Sequence, residues 1–238
     1  MIDFTLIDVL AFVWFVACWI GFDRLARRRA IDTPSLVSTM RVYRDAWMQQ
    51  MARRDSHQFD ASLLNNLLRY VLFFASTTVF ILAGLVALLG TADQVIDVVS
   101  RLPFSSGFVL WVWEVKVVML IYIFVYAFFK FTWCAWQFNA TGILVGGMPD
   151  PHESPERAIQ AAATVSGLAA LAGKSFNDGV RAYYFSMAAL SWFLHPGIFM
   201  ASTAWVTYVL YRREFRSNTL EVLRAGIRRV RGCAGDGL

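Results

Sequence analysis

Apolar positions along this chain gather into long unbroken runs, not into the alternation of half-buried strands. The first, Leu6 to Phe22 (LIDVLAFVWFVACWIGF), reaches about the minimum length for a membrane span. Tyr70 to Gly90 carries no charge for 21 residues and is the clearest span in the chain. A third run opens near Phe104 and continues to about Phe138, with its crossing part near 108–130. Tyr183 to Tyr211 is apolar for 29 residues but is interrupted by His195-Pro196-Gly197. The pattern predicts an all-α, polytopic helical membrane protein. It has about four long hydrophobic helices, near 6–22, 70–90, 108–130 and 183–211, in a single membrane domain over 1–238.

Between these runs the pattern changes to the three- and four-residue steps of amphipathic helices. Leu36, Met40, Tyr43, Trp47 and Met51 share one face, while Arg41, Arg44, Asp45, Gln49, Arg53 and Arg54 lie mostly elsewhere around the helix. Thr33-Pro34 offers an N-cap followed by proline at the first helical position. The spacing predicts an amphipathic helix near 34–57 on the inner membrane surface, with Arg41, Arg44, Trp47, Arg53 and Arg54 meeting it; packing on a partner subunit is the alternative. Leu220, Leu223, Ile227 and Val230 mark a second such helix near 216–231.

Composition agrees with this reading. The 238 residues are 58% hydrophobic and 16% charged, with mean hydropathy +0.50, against about 45–50% and about 25% in soluble domains. The balance excludes a soluble enzyme, a disordered chain and a disulfide scaffold. Cys18, Cys134 and Cys233 stand apart at no ligand spacing.

Charge adds a direction. Of nineteen arginines, sixteen lie in 23–69 and 212–231. By the positive-inside rule both segments belong to the cytoplasm, so the N-terminus lies outside a cell membrane, the bacterial inner membrane being the natural setting. Asp3 and Asp8 come first, at the start of the first run, and Arg24, Arg27, Arg28 and Arg29 follow it, the reverse of a signal peptide. Counting crossings then gives a conflict, because four simple spans leave the arginine-rich tail outside. Two arrangements return it to the cytoplasm. Either 183–194 and 197–211 form a re-entrant hairpin, or the alanine-rich 158–173 also crosses.

Candidate chemistry is sparse. Ionisable residues inside a bilayer are functional candidates by default, which singles out Glu114 and Lys116 in the third run. Lys116 and Lys130 are separated so that their ammonium groups, snorkelling outward, would stand about 30 Å apart. This makes them interface anchors, with Glu114 near Arg101. Asn177, Asp178, Arg181, Tyr183 and Tyr184 cluster before the fourth run, and Asp178 and Arg181 are spaced for a salt bridge. Ser191 and His195 share a helix face, but no carboxylate orients the histidine and no GxSxG elbow exists. The expected role of His195 is to bond the carbonyls freed by Pro196.

One histidine in an apolar run excludes bis-histidine haem within a chain, and HExxH, P-loop and GxGxxG motifs are absent. No cofactor, metal or catalytic residue is indicated, and the chain leans away from being an enzyme. The basic segments flank spans, where topology and anionic lipid head groups account for them without nucleic acid.

Several runs together resemble a known family. They are Thr33-Pro34 through Arg41, Arg44 and Ala46-Trp47-Met48; Phe74-Ala75-Ser76; Phe138-Asn139 through Gly146-Gly147-Met148-Pro149; and Arg181-Ala182-Tyr183-Tyr184-Phe185 with Trp192 and Pro196. The resemblance is to an uncharacterised family of bacterial and plant integral membrane proteins, domain of unknown function 599. It implies a multi-span helical membrane protein and brings no activity with it. Two functions follow from the residues. One is an oligomeric channel or transporter-like protein with a site near the fourth segment. The other is a non-catalytic scaffold or accessory subunit that binds anionic lipid or a cytoplasmic partner.

Overall fold

A computed structural model describes residues 6–32, 35–90 and 110–235. The described residues are about 90% helical and contain no strand. They form α1 (Leu6–Asp32), α2 (Leu36–Met51), α3 (Gln58–Gly90), α4 (Leu110–Gly146), α5 (Pro155–Leu190), α6 (Pro196–Phe215) and α7 (Asn218–Gly235). α1, α3 and α4 are each long and apolar enough to cross a membrane, by length and composition. The most apolar window of α3 is only 17% buried by the rest of the chain. An uncharged stretch left so uncovered suits a membrane location, since soluble proteins rarely expose such contiguous apolar surface.

The chain clusters into two compact units. An apolar unit comprises Met1–Phe22, Tyr70–Trp133 and Ser175–Tyr208; an arginine-rich unit comprises Asp23–Arg69, Cys134–Lys174 and Val209–Leu238.

In the apolar unit, ring contacts fix the directions of five helical segments. Along α5, Phe176 meets Phe131 and Tyr183 meets Phe124, and Trp192, two residues past its end, takes the Lys116 ammonium on its carbonyl, so α4 runs against α5. On α1, Phe12 stacks on Trp192 and Trp19 on Phe185, so α1 also opposes α5. On α3, Tyr70 meets Phe176 while the Thr78 and Tyr183 hydroxyls bond at 2.8 Å, so α3 runs with α5. α6 turns back after α5, bringing Phe199 onto Phe15. Gly179 permits the closest approach, because a Cβ there would lie 2.6 Å from the Phe131 ring.

The fourth apolar run does not form one helix from Tyr183. Its first arm is the last part of α5, continuous with the alanine-rich stretch that itself lies in the arginine-rich unit. The second arm is α6, and the two form a hairpin. The helix breaks before His195-Pro196-Gly197, in a 3-10 turn over Ser191–Phe193.

In the arginine-rich unit the expected surface helix is covered by the chain itself. α2 ends at Met51 and its Met48 and Met51 are fully buried. Tyr43 donates to the Leu223 carbonyl at 2.8 Å, joining α2 to α7, whose Leu220 is also buried. Thr33 and Pro34 lie outside the described residues; the cap of α2 is Ser35, in a reciprocal capping box with Ser38.

On the same unit's exposed surface, His152 bonds Asp55 at 2.9 Å. That bond, then the charges of Asp55 and Asp150, hold the imidazole pKa above its ordinary value. A raised folded-state pKa contributes stability below the unfolded value that is lost as pH rises through the folded one. Asp55→Asn is therefore expected to lower the His152 midpoint, read by NMR titration of its ring protons.

Candidate functional site

The charged residues of the apolar unit gather at its two ends. At one end lies the hairpin turn. Trp192 is buried there, with its ring between Phe12 and Phe199. Its indole N–H donates to Asp8 Oδ1 at 2.8 Å, and its carbonyl accepts from Lys116 Nζ at 3.0 Å. Lys116 also stands 4.0 Å from Asp8 and 5.2 Å from the Trp192 ring centre. Burial excludes the expected anchor role: the lysine points into the unit because a carboxylate, a carbonyl and a π face wait there. Glu114 is half-buried on the same helix, and the suggested partner Arg101 lies outside the described residues.

The turn explains the histidine. His195 is exposed and immediately precedes α6, with Pro196 at the first helical position. The Gly197 N–H donates to His195 Nδ1 at 3.0 Å, so the ring caps the helix instead of bonding carbonyls freed by Pro196. Gly197 suits this approach, because a Cβ there would stand 3.0 Å from Nδ1. Ser191 donates to the Ala188 carbonyl at 2.7 Å. The pair that suggested a nucleophile and base is thus committed to holding a turn.

At the other end, Lys130 Nζ pairs with Asp178 Oδ2 at 3.2 Å, and Arg181 Nη1 with Asp178 Oδ1 at 3.7 Å. The Lys130 ammonium lies 5.5 Å from the Tyr126 ring centre and the Arg181 guanidinium 5.1 Å from that of Phe22. Sequence spacing found the Asp178–Arg181 pair. It missed Lys130, which was read as an outward anchor and instead joins the same carboxylate. Asn177 and Tyr184 are half-buried on α5 nearby in sequence.

An apolar groove of about 580 Å³ runs between α1 and α4, lined by aromatic and aliphatic side chains from Phe12 to Ile20 and from Val115 to Tyr126. Trp19 and Tyr126 meet edge to face across it at 5.9 Å.

The residues expected at the membrane surface divide. Arg41 and Arg53 are exposed. Arg54 is committed to Asp60 at 2.8 Å, and the Trp47 indole donates to the same carboxylate at 2.6 Å. Asp60 is itself fully buried, at 0% exposure. Arg44 is half-buried against Gly173, where a Cβ would come within 2.6 Å of the guanidinium. Burial lowers its pKa, Cys134 and Asp45 oppose that, and a guanidinium stays charged regardless. Asp45 accepts from the Ser166 hydroxyl. Arg44 and Trp47 are thus half-buried within the unit, whereas Arg54, though bonded to Asp60, stays exposed like Arg41 and Arg53. No three His, Cys, Asp or Glu side chains gather as a metal site among the described residues.

Among known proteins, a family model matches residues 10–219, described as "Protein of unknown function, DUF599". No curated protein and no solved structure matches the chain.

Proposed function

We propose, from the premise that the chain belongs to the DUF599 family of proteins of unknown function, that it is a non-catalytic membrane scaffold that holds anionic lipid. Its apolar helices cross the bilayer and its arginine-rich segments lie on the cytoplasmic side. Seventeen of the nineteen arginines belong to that second unit, as the positive-inside rule requires. Exposed residues such as Arg24, Arg28, Arg41, Arg53 and Arg212 each supply about 1 kcal/mol near an anionic leaflet.

One observation carries the choice over a channel or transporter. Among the described residues, five ionic groups of the apolar unit are engaged within the chain: Lys116 with Trp192 and Asp8, and Lys130 and Arg181 with Asp178. A conducting path needs polar groups directed at an aqueous route. The groove between α1 and α4 is lined mostly by apolar and aromatic side chains.

The test is flux. The full chain reconstituted in mixed phosphatidylcholine and phosphatidylglycerol vesicles is expected to leave K⁺, Na⁺, Cl⁻ and proton leak at the rates of protein-free vesicles. A flux that scales with protein and disappears in Asp178→Asn would overturn this reading in favour of transport.

A further inference from the structure

We infer that the opening turns of α3, residues 58–69, lie at the membrane surface, with the exposed stripe of Phe59, Leu63 and Leu67 resting in anionic phospholipid. This deepens the scaffold reading by naming the face that meets lipid, and it rests on that reading.

The stripe follows from how this part of the helix is rolled. Asp60 is fully buried, where it accepts from the Trp47 indole and pairs with Arg54, and Leu64 is buried one turn later. These two residues fix which face of the segment turns into the arginine-rich unit. Phe59, Leu63 and Leu67 recur at steps of four on a different face, and they are 69%, 36% and 36% exposed. A helix surrounded by water turns such residues inward and its aspartate outward. Here the carboxylate is inside and the phenylalanine outside, so the stripe faces an apolar medium.

A third face is polar: Ser62, Asn65, Asn66 and Arg69 are all exposed. Protein on one side, an apolar medium on the second and water on the third is the setting of a helix lying in a membrane interface. The chain then continues along α3 into the uncharged run from Tyr70. A second copy of this chain is a poor cover for the stripe. Even at about 250 Å² for a whole aromatic side chain, its exposed fractions offer less than about 400 Å², half of the about 800 Å² that each partner gives to a stable interface. Charge selects the kind of lipid. Arg53, just before the helix, and Arg69 are exposed, whereas both acidic residues of 52–69 are engaged, Asp55 with His152 and Asp60 with Arg54. An anionic leaflet complements that excess of positive charge.

The test is photo-crosslinking of the full chain in vesicles of equal phosphatidylglycerol and phosphatidylcholine. The photoreactive residue p-benzoylphenylalanine replaces Phe59, Leu63 or Asn66 one at a time, all exposed positions whose replacement leaves the packing in place. After illumination, intact mass is read. Chains labelled at 59 and 63 are expected to gain the mass of one phospholipid, with phosphatidylglycerol favoured about fivefold. Chains labelled at 66 should stay mostly at their own mass. Arg53→Gln together with Arg69→Gln should bring the two lipids toward equal yield without lowering the total. A doubled mass at 59 or 63 would overturn the inference by showing a second copy on the stripe. So would the absence of lipid adducts at both positions, equal yields at 63 and 66, or equal yields of the two lipids with both arginines present. Missing adducts with silent vesicles would sink this surface alone, whereas protein-dependent flux would sink the scaffold reading whatever the adducts.

Discussion

Lys116→Met is expected to cost about 3–5 kcal/mol, because it leaves the Asp8 carboxylate buried without its cation. The replacement preserves most of the side-chain volume, so the loss reports charge and not a cavity. Asp8→Asn should cost less, since an amide oxygen still accepts from the Trp192 indole. In the double variant the uncompensated charge is gone, and its cost should fall below the sum of the two single costs by about 1–3 kcal/mol. Unfolding in mixed micelles, followed by tryptophan fluorescence, measures all three. Additive costs would show that the two charges do not act on each other.

Asp60→Leu is the second large expected effect, about 2–4 kcal/mol. The carboxylate is fully buried and accepts from both the Trp47 indole and Arg54. Leucine fills the space but leaves a part-buried N–H without its acceptor, where a fully buried one would cost about 1–3 kcal/mol by itself. Arg54 loses less, because 44% of its side chain already meets solvent. Asp60→Asn should lie well below Asp60→Leu, since one oxygen still reaches the indole. Thermal unfolding of the purified chain with each variant orders the series, and equal losses for Asn and Leu would refute the assignment.

The long apolar runs were legible because each is a one-dimensional property. An uncharged stretch such as Tyr70–Gly90 announces itself without its neighbours. The arginine bias was equally legible, and it called for either a hairpin over 183–211 or a further crossing by 158–173. What spacing could not reveal was the third dimension of each polar residue. Lys116 and Lys130 are placed as well for outward anchors as for inward pairs, and only the arrival of Trp192 and Asp178 decides between them. Asp8 read as a flank because it lies near the start of its run, yet a segment 184 positions later covers it. The amphipathic stripe of α2 was real, but a stripe does not say whether lipid or protein will cover it. Here Met48 and Met51 are covered by protein, and Trp47 faces a carboxylate that precedes the apolar run of α3. The break at His195 was placed within a turn, and the missing part was the ring nitrogen's role as a cap.

Trp192 gives the apolar unit a schedule. It joins α1 through Asp8 and Phe12, and α4 through Lys116, but the ribosome supplies it after four-fifths of the chain. For all of that interval an anchor holding a carboxylate and a third segment holding an ammonium have only each other for company. The bilayer penalises both, which makes the partly synthesised protein a natural client for whatever escorts nascent spans. A chain stopped before the hairpin would hold this ion pair without the indole N–H and the carbonyl that complete its bonding, a ready mark for quality control.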